Sequence, residues 1–196
     1  MSHETGGGEG YPYFAPAGAP QPIEGSWTVR FVRGGPAMPA TVTTSRLESW
    51  TRFPAAGVKE FAGTATYTVS LPRPATPASA FRLDLGEVRD SARVRLNGRD
   101  LGTLLGPGYR LTIEGSLLAD DNVLEVDVTN GMANRIADLD RRGVPWKKFD
   151  NVNFPARRPE NRGPDGLFTA AGWAPLDSGL LGPVTLQPVR PPAAAP

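Results

Sequence analysis

The sequence predicts an all-β fold, in which two antiparallel sheets pack as a jelly-roll sandwich with a long irregular loop. Several short segments alternate apolar and polar residues with the period of two that is typical of half-buried strands. An Asn-Gly pair at 97–98 lies between two such segments, as in a tight hairpin. The 23 glycines and 21 prolines interrupt the chain too often for long helices. Roughly eight short strands favour the jelly roll, with an immunoglobulin-like sandwich as the alternative.

Before the centre of the chain, three segments are predicted to be strands. SWTVRFV places Trp27, Val29 and Phe31 on one face. A short threonine-rich strand follows around Val42, and FAGTATYTVSL resumes a regular alternation. Near the end, LFTAAGW and GLLGPVTLQPV are predicted to add the closing strands.

The stretch from Phe81 to Asn130 is predicted to form four consecutive strands of one antiparallel meander: FRLDL, SARVRLNG, YRLTI and NVLEVDV. Each has one apolar and one polar face, which is typical of an antiparallel sheet with one side in water. The Asn-Gly pair favours a type I′ turn, which needs positive φ at both central residues. A hairpin of 92–96 with 99–104 follows, in which we expect Leu96 to face Leu101.

The domain boundaries are predicted from composition. Residues 1–24 are expected to be a flexible leader or linker, 25–190 the sandwich and 191–196 a disordered tail, because Gly, Pro and Ala dominate both ends. The leader MSHETGGGEG has no apolar core and is not a secretory signal. The location is therefore left open, and is periplasmic or extracellular if the chain is a piece of a secreted hydrolase.

The composition excludes several classes of function. The net charge of +1 gives no field that would recruit nucleic acid or a membrane surface, so we expect neither as a partner. The chain has no cysteine and one histidine, His3, which excludes a cysteine nucleophile and makes a histidine-dependent triad or a multi-histidine zinc site untenable. No apolar run approaches the ~18 residues of a membrane helix.

Carboxylates and basic residues give no clear catalytic constellation. Asp84, Glu125 and Asp127 lie on the polar faces of predicted strands, where charge is ordinary. Asp120-Asp121-Asn122 has ligands for a hard cation, but a turn explains it more simply. Seven basic residues between 141 and 162 are interrupted by acids, so a solvated loop is favoured over a nucleic-acid surface.

The segment 130–166 lacks a strand pattern and is long for a loop, a length at which loops are usually functional or disordered. Sugars present apolar C–H faces to aromatic rings and hydroxyls to planar donors and acceptors. Burial of the tryptophans at the ends of the sandwich is the alternative. The residues predicted to contact carbohydrate or a neighbouring domain are Trp50, Asn134, Arg135, Asp138, Trp146 and Trp173.

Four segments resemble, in order and spacing, the galactose-binding-like β-sandwich of glycoside hydrolases. They are FAGTATYTVSL, LDLGEVRDSARVRLNGRDLGTLLGPGYRLTI, NVLEVDVTN and SGLLGPVTL. The chain is most similar to the carboxy-terminal sandwich of family 106 α-L-rhamnosidases, and more distantly to the sugar-binding domain of family 2 enzymes. The segment TN…NRIADL matches the family at Thr129, Asn130, Asn134, Arg135, Ile136 and Asp138.

The resemblance implies an accessory domain beside a separate catalytic barrel, so no catalytic residue is assigned. It implies as partners a carbohydrate, the catalytic domain of a parent hydrolase, or both. A stand-alone lectin-like module and a small self-sufficient hydrolase are the alternatives. The resemblance also implies a structural Ca²⁺, for which the sequence shows no compact ligand set, so no cofactor is expected.

Overall fold

The computed structural model describes residues 14–106 and 108–191. Strands dominate this part of the chain, and one α-helix, α1 (Ala133–Arg141), follows the eleventh strand. The strands are β1 (Ala15–Pro16), β2 (Gln21–Pro22), β3 (Trp27–Gly35), β4 (Val42–Thr44), β5 (Ala62–Pro72), β6 (Ala80–Asp84), β7 (Glu87–Arg89), β8 (Ser91–Leu96), β9 (Arg99–Leu105), β10 (Arg110–Glu114), β11 (Asp121–Thr129), β12 (Gly179–Gly182) and β13 (Thr185–Arg190).

The strands form two main sheets that share one core. The first has the order β1-β13-β6-β10, with β2 also paired to β13, and the second has the order β4-β3-β5-β11-β8-β9. A further pair joins β7 to β12. All these pairings are antiparallel. The predicted all-β antiparallel sandwich is confirmed.

The period-two patterns fill this core. Phe81 and Leu83 of β6 face Val94 of β8 and Val126 of β11 within one cluster, and none of the four is more than 4% exposed. Each such side chain removes apolar surface from water and contributes about 1.5–3 kcal/mol. Because the contacting strands belong to different sheets, this burial holds the two sheets together.

The Asn-Gly turn is where it was predicted, but its register differs. Asn97 and Gly98 have φ of 52° and 77°, as a type I′ turn requires. Leu96 pairs with Arg99 rather than with Leu101, since a two-residue turn places its flanking residues opposite each other. An irregularity beside Arg95 then leaves Leu101 without a partner in the register.

Two further strand predictions are wrong. The stretch 81–130 is not one meander, because β6 and β10 lie in the first sheet while β8, β9 and β11 lie in the second. Alternation shows which face of a strand is buried, but not which strand lies beside it. LFTAAGW is not a strand either: it forms a single bridge, between Phe168 and Arg162.

The ordered domain begins before residue 25. β1 and β2, which were predicted to lie in a flexible leader, both pair with β13. Pro16 and Pro22 are tolerated there because β1 and β2 are edge strands. Proline lacks a backbone N–H, and an edge strand leaves part of its N–H groups without a ladder partner. The rest of the predicted leader, residues 1–13, and the tail residues 192–196 lie outside the described residues.

Part of the predicted irregular loop is helical. Residues 130–178 between β11 and β12, hereafter the insertion, contain α1 and two short 3₁₀ turns, Phe154–Arg157 and Pro159–Asn161. The helix ends at Arg141, and Gly143 follows with a φ of 65°, as is common after a helix. A second, smaller apolar cluster holds the insertion together: Ala137, Ala156, Phe168 and Ala170, with Ile136, Trp146 and Trp173 packed against them.

Candidate functional site

Five of the six predicted contact residues lie in the insertion, and the sixth, Trp50, does not reach the surface. Trp50 is 0% exposed and packs edge-to-face against Phe31 and Phe61, with ring centroids 5.6 and 5.8 Å away. Its backbone N–H donates to the Ser178 carbonyl at 2.9 Å. Trp50 is therefore a core residue, and its prediction as a contact residue is wrong, because the short 3₁₀ turn Trp50–Arg52 folds it inward.

Asn134 is also buried, at 5% exposure. Its amide donates to the Leu176 carbonyl at 2.8 Å and accepts from the Leu176 N–H at 2.8 Å. The neighbouring Asn130 accepts from the Gly63 N–H at 2.9 Å and donates to the Phe61 carbonyl at 3.1 Å. Asn130 thus fastens the insertion to the sandwich, whereas Asn134 joins the two ends of the insertion. These bonds leave little of the Asn134 amide for a ligand.

Arg135 and Asp138 satisfy each other. Arg135 Nη1 lies 2.7 Å from Asp138 Oδ2, and the two side chains are only 18% and 16% exposed. Arg142 binds the same carboxylate oxygen at 3.0 Å. The Arg135 guanidinium therefore uses Nη1 for a contact within α1. The pair stabilises the helix as an i, i+3 ion pair does.

Asp140 anchors the loops that follow α1, although nothing in its sequence context singled it out. Its Oδ1 accepts from the Trp146 indole N–H at 2.6 Å, and its Oδ2 accepts from the Ala170 N–H at 2.7 Å. Lys147 Nζ lies 3.5 Å away, and the carboxylate is only 6% exposed. Trp146, predicted as a contact residue, is thereby held half-buried against the small core.

Trp173 lines an open cleft at the far side of the insertion. Its indole N–H donates to Asn161 Oδ1 at 2.8 Å, and its ring packs edge-to-face on Phe168. The cleft has a volume of about 430 Å³. We call it the Phe154–Trp173 cleft, and it is lined by Phe154, Pro155, Arg158, Glu160, Asn161 and Trp173.

A second cleft of about 310 Å³ lies at the base of the insertion. Three charged side chains line it, Arg89, Asp90 and Asp177, and each is already engaged. Arg89 pairs with Glu87, Asp90 accepts from the Gly131 N–H at 2.7 Å, and Asp177 pairs with Arg52 at 3.2 Å. No aromatic ring lines it. This cleft therefore lacks the apolar wall that a sugar ring packs against.

The insertion carries most of the exposed apolar surface. Seven of the eleven large hydrophobic residues that are exposed in the described part of the chain belong to it, and the most exposed are Phe149, Val152 and Phe154 at 75%, 76% and 78%. Exposed apolar residues that cluster in one segment mark an interaction site more often than scattered ones do. The signal for this surface was present in the sequence as Phe149 and Phe154.

Several carboxylates of the sheets are paired with arginines. Arg95 binds Asp127 at 2.6 Å and Glu125 at 3.3 Å, and Asp84 pairs with Arg110 at 2.6 Å. Burial alone would raise the pKa of Asp127, but hydrogen bonds from Arg95 and Thr66 outweigh it and lower that pKa. Asp127 is thus held as an anion, which is the opposite of what a general acid needs.

Of the predicted turn Asp120-Asp121-Asn122, only Asp120 lies in a bend, and the other two residues begin β11. Asn122 is 1% exposed, accepts from the Ala119 N–H at 2.8 Å and receives the Asn97 amide at 2.9 Å. Within residues 14–106 and 108–191, no group of three or more acidic, histidine or cysteine side chains is placed to hold a metal ion. No helix in the same residues is long and apolar enough to cross a membrane.

The fold and the insertion define an all-β sandwich domain with a partly helical segment between β11 and β12, and comparisons with known proteins find similar domains. No family model matches the chain. The "Putative beta-glucuronidase" of Formosa agariphila is 34% identical over 191 residues, which cover 86% of this chain and 16% of that protein. The solved rhamnosidase of Novosphingobium sp. PP1Y is 30% identical with a TM-score of 0.65, over 91% of this chain and 15% of that one.

A third comparison bears on the fold alone. The solved beta-glucuronidase of Bifidobacterium dentium has a TM-score of 0.56 at 20% identity, over 88% of this chain and 30% of that one. The chain thus spans about one sixth of the length of the first two relatives. Together these relationships support a glycoside hydrolase-related domain that matches only part of each enzyme.

Proposed function

We propose that this chain is a non-catalytic accessory domain of a longer glycoside hydrolase, most like the carboxy-terminal galactose-binding-like sandwich of family 106 α-L-rhamnosidases. The observation that carries the proposal is the coverage: 91% of this chain aligns at 30% identity with only 15% of the rhamnosidase. A domain that is one small part of a large enzyme has room beside it for a separate catalytic domain.

The side chains support a non-catalytic role. Glycoside hydrolysis usually needs one carboxyl group that stays protonated and a second that is ionised, on either side of the bond. Asp100 and Asp127 both have a lowered pKa, in the first case mainly because Arg93 donates a hydrogen bond to the carboxylate. Two further strand carboxylates, Asp84 and Glu125, are held in ion pairs on the sheet surfaces.

The insertion is the surface that we assign to the parent enzyme. Asn134, Arg135, Asp138 and Trp146 use their polar groups to order it, so their role is to present the surface rather than to bind directly. What they present is the exposed apolar segment around Phe149 and Val152. A segment of this kind is stabilised when a neighbouring domain covers it, which supports a bracing function.

A lectin-like function is the second candidate, because the Phe154–Trp173 cleft offers aromatic rings beside charged groups. The two roles are compatible, since an accessory domain can brace the enzyme and contact its glycan with different parts of one surface.

Turnover assays test the non-catalytic assignment. The purified chain is incubated with aryl α-L-rhamnosides, β-glucuronides and galactosides, and we expect no release of the aryl group above background. Asp84→Asn, Glu125→Gln and Asp127→Asn variants serve as controls. Turnover that disappears in one of these variants, while the others keep it, would show a self-sufficient hydrolase and overturn the proposal.

A further inference from the structure

We propose that the Phe154–Trp173 cleft binds the ring of a neutral pyranoside, with one apolar face of the sugar packed against the aromatic side chains. This inference rests on the proposed function and deepens it, because it gives the accessory domain a specific glycan contact. The cleft volume of about 430 Å³ falls within the ~300–1,000 Å³ that is typical of small-molecule sites.

The walls of the cleft are fixed before a ligand arrives. Asn161 is 8% exposed and uses both ends of its amide, accepting from the Trp173 indole at 2.8 Å and donating to the Pro155 carbonyl at 3.0 Å. The 3₁₀ turn at Phe154 is capped by Asn153, whose side chain accepts from the Ala156 N–H at 2.8 Å. A preorganised wall reduces the ordering cost that binding must offset.

Phe154 is exposed, and it is held by a cation–π contact. The Arg157 guanidinium carbon lies 4.8 Å from the centre of the Phe154 ring, and Arg157 does not line the cleft. One face of the ring is therefore covered from outside, while the residue as a whole remains 78% exposed. The ring is positioned to offer apolar surface to a ligand in the cleft.

The charged groups of the cleft are free to bind hydroxyls. Among the described residues, the Arg158 and Glu160 side chains make no ion pair or hydrogen bond. A guanidinium donates only and an ionised carboxylate accepts only, so together they match a hydroxyl group, which does both. Arg158 and Glu160 carry opposite charges, so the pair has no net charge and matches a neutral sugar better than a charged one.

Ligand-observed NMR tests the site without relying on a tryptophan signal. Methyl α-L-rhamnopyranoside and methyl β-D-galactopyranoside are the neutral probes, and D-glucuronic acid is the charged one. We expect saturation transfer from the protein to ring C–H protons of at least one neutral probe at millimolar concentration. No transfer to either neutral probe, or stronger transfer to glucuronic acid, would overturn the inference.

A matched pair of phenylalanine variants locates the binding. Phe154 and Phe149 are almost equally exposed, at 78% and 75%, but only Phe154 lines the cleft. We expect Phe154→Ala to weaken binding of the neutral probe about tenfold, which corresponds to ~1.4 kcal/mol. Phe149→Ala should leave the affinity unchanged, and Arg158→Ala and Glu160→Gln should each weaken it severalfold.

The result of the sugar-binding experiments is independent of the result of the turnover assay. Equal losses of sugar affinity for Phe149→Ala and Phe154→Ala would show that the probe does not bind specifically in the cleft and would overturn the sugar site. An inactive chain that binds no sugar still fits an accessory domain, whereas an active chain contradicts that function whether or not the cleft binds.

Discussion

The sandwich and the insertion are stabilised in different ways. The sandwich buries large side chains from two sheets in one cluster, such as Tyr67 and Leu124 at 0% and 1% exposure. The insertion has a small core of four buried hydrophobic residues, of which three are alanines. It depends on hydrogen bonds that Asp140, Asn153 and Asn161 accept from backbone N–H groups and from indoles. The sandwich is therefore a self-sufficient support, and the insertion is a surface ordered by a few polar contacts.

The largest effect on stability is expected at Gly179, where the insertion rejoins the sandwich; we call this position the joint between the two regions. A Cβ at Gly179 would lie 2.3 Å from the Tyr67 hydroxyl and 2.8 Å from the Trp50 ring, and its φ is 99°. We expect Gly179→Ala to lower the free energy of unfolding by about 3 kcal/mol, because overpacking and backbone strain act together. Urea unfolding measures this.

Gly172→Ala is the matched control for that substitution. Gly172 has open space where a Cβ would stand, so we expect a change within ~0.5 kcal/mol. Similar losses at both positions would mean that the joint is no more tightly packed than the surface of the insertion.

An intermediate and local effect is expected at Asp140. The Asp140→Asn substitution replaces one acceptor oxygen with an NH₂ donor. That donor would face either the Ala170 N–H or the Trp146 indole N–H, which are donors themselves. We expect a loss of about 1–3 kcal/mol confined to the insertion. Hydrogen exchange should speed up at Ala170 and leave the β5 and β11 amides unchanged. Equal loss of protection in both regions would show that they unfold as one unit.

The smallest effect is expected at Tyr67, in the centre of the sandwich. Its buried hydroxyl has no hydrogen-bond partner of good geometry. Burial raises the pKa of Tyr67 well above its usual range, and the nearby Leu180 backbone offsets only part of that rise. We expect Tyr67→Phe to change the unfolding free energy by less than ~0.5 kcal/mol or to stabilise the fold. A loss above ~1.5 kcal/mol would indicate a hydrogen-bonded hydroxyl.

The sandwich could be predicted because its signal is local. A few residues of alternating sequence are enough to assign Leu83 and Val94 to the core. The Asn97-Gly98 pair is enough to mark the turn of the β8–β9 hairpin. Sheet membership could not be predicted, because the pairing of β6 with β10 and of β8 with β11 depends on contacts between residues far apart in the chain.

The insertion could be predicted only in part. Its length and its aromatics marked it as a candidate surface, and the exposure of Phe149 and Phe154 agrees with that. The roles of Asp140 and Asn161 could not be predicted, since a polar side chain that binds a backbone group leaves no periodic pattern. Trp50 was misassigned for a related reason: an aromatic outside a strand can still fold back into the core.

The fastening of the insertion at its base has an evolutionary consequence. Asn130, where the insertion begins, donates to the hydroxyl of Ser178, where it ends, at 3.1 Å. The chain therefore leaves and re-enters the sandwich at neighbouring positions. Because lengthening a closed loop adds little entropic cost, we expect related domains to differ more in the length of this segment than in the strands that flank it.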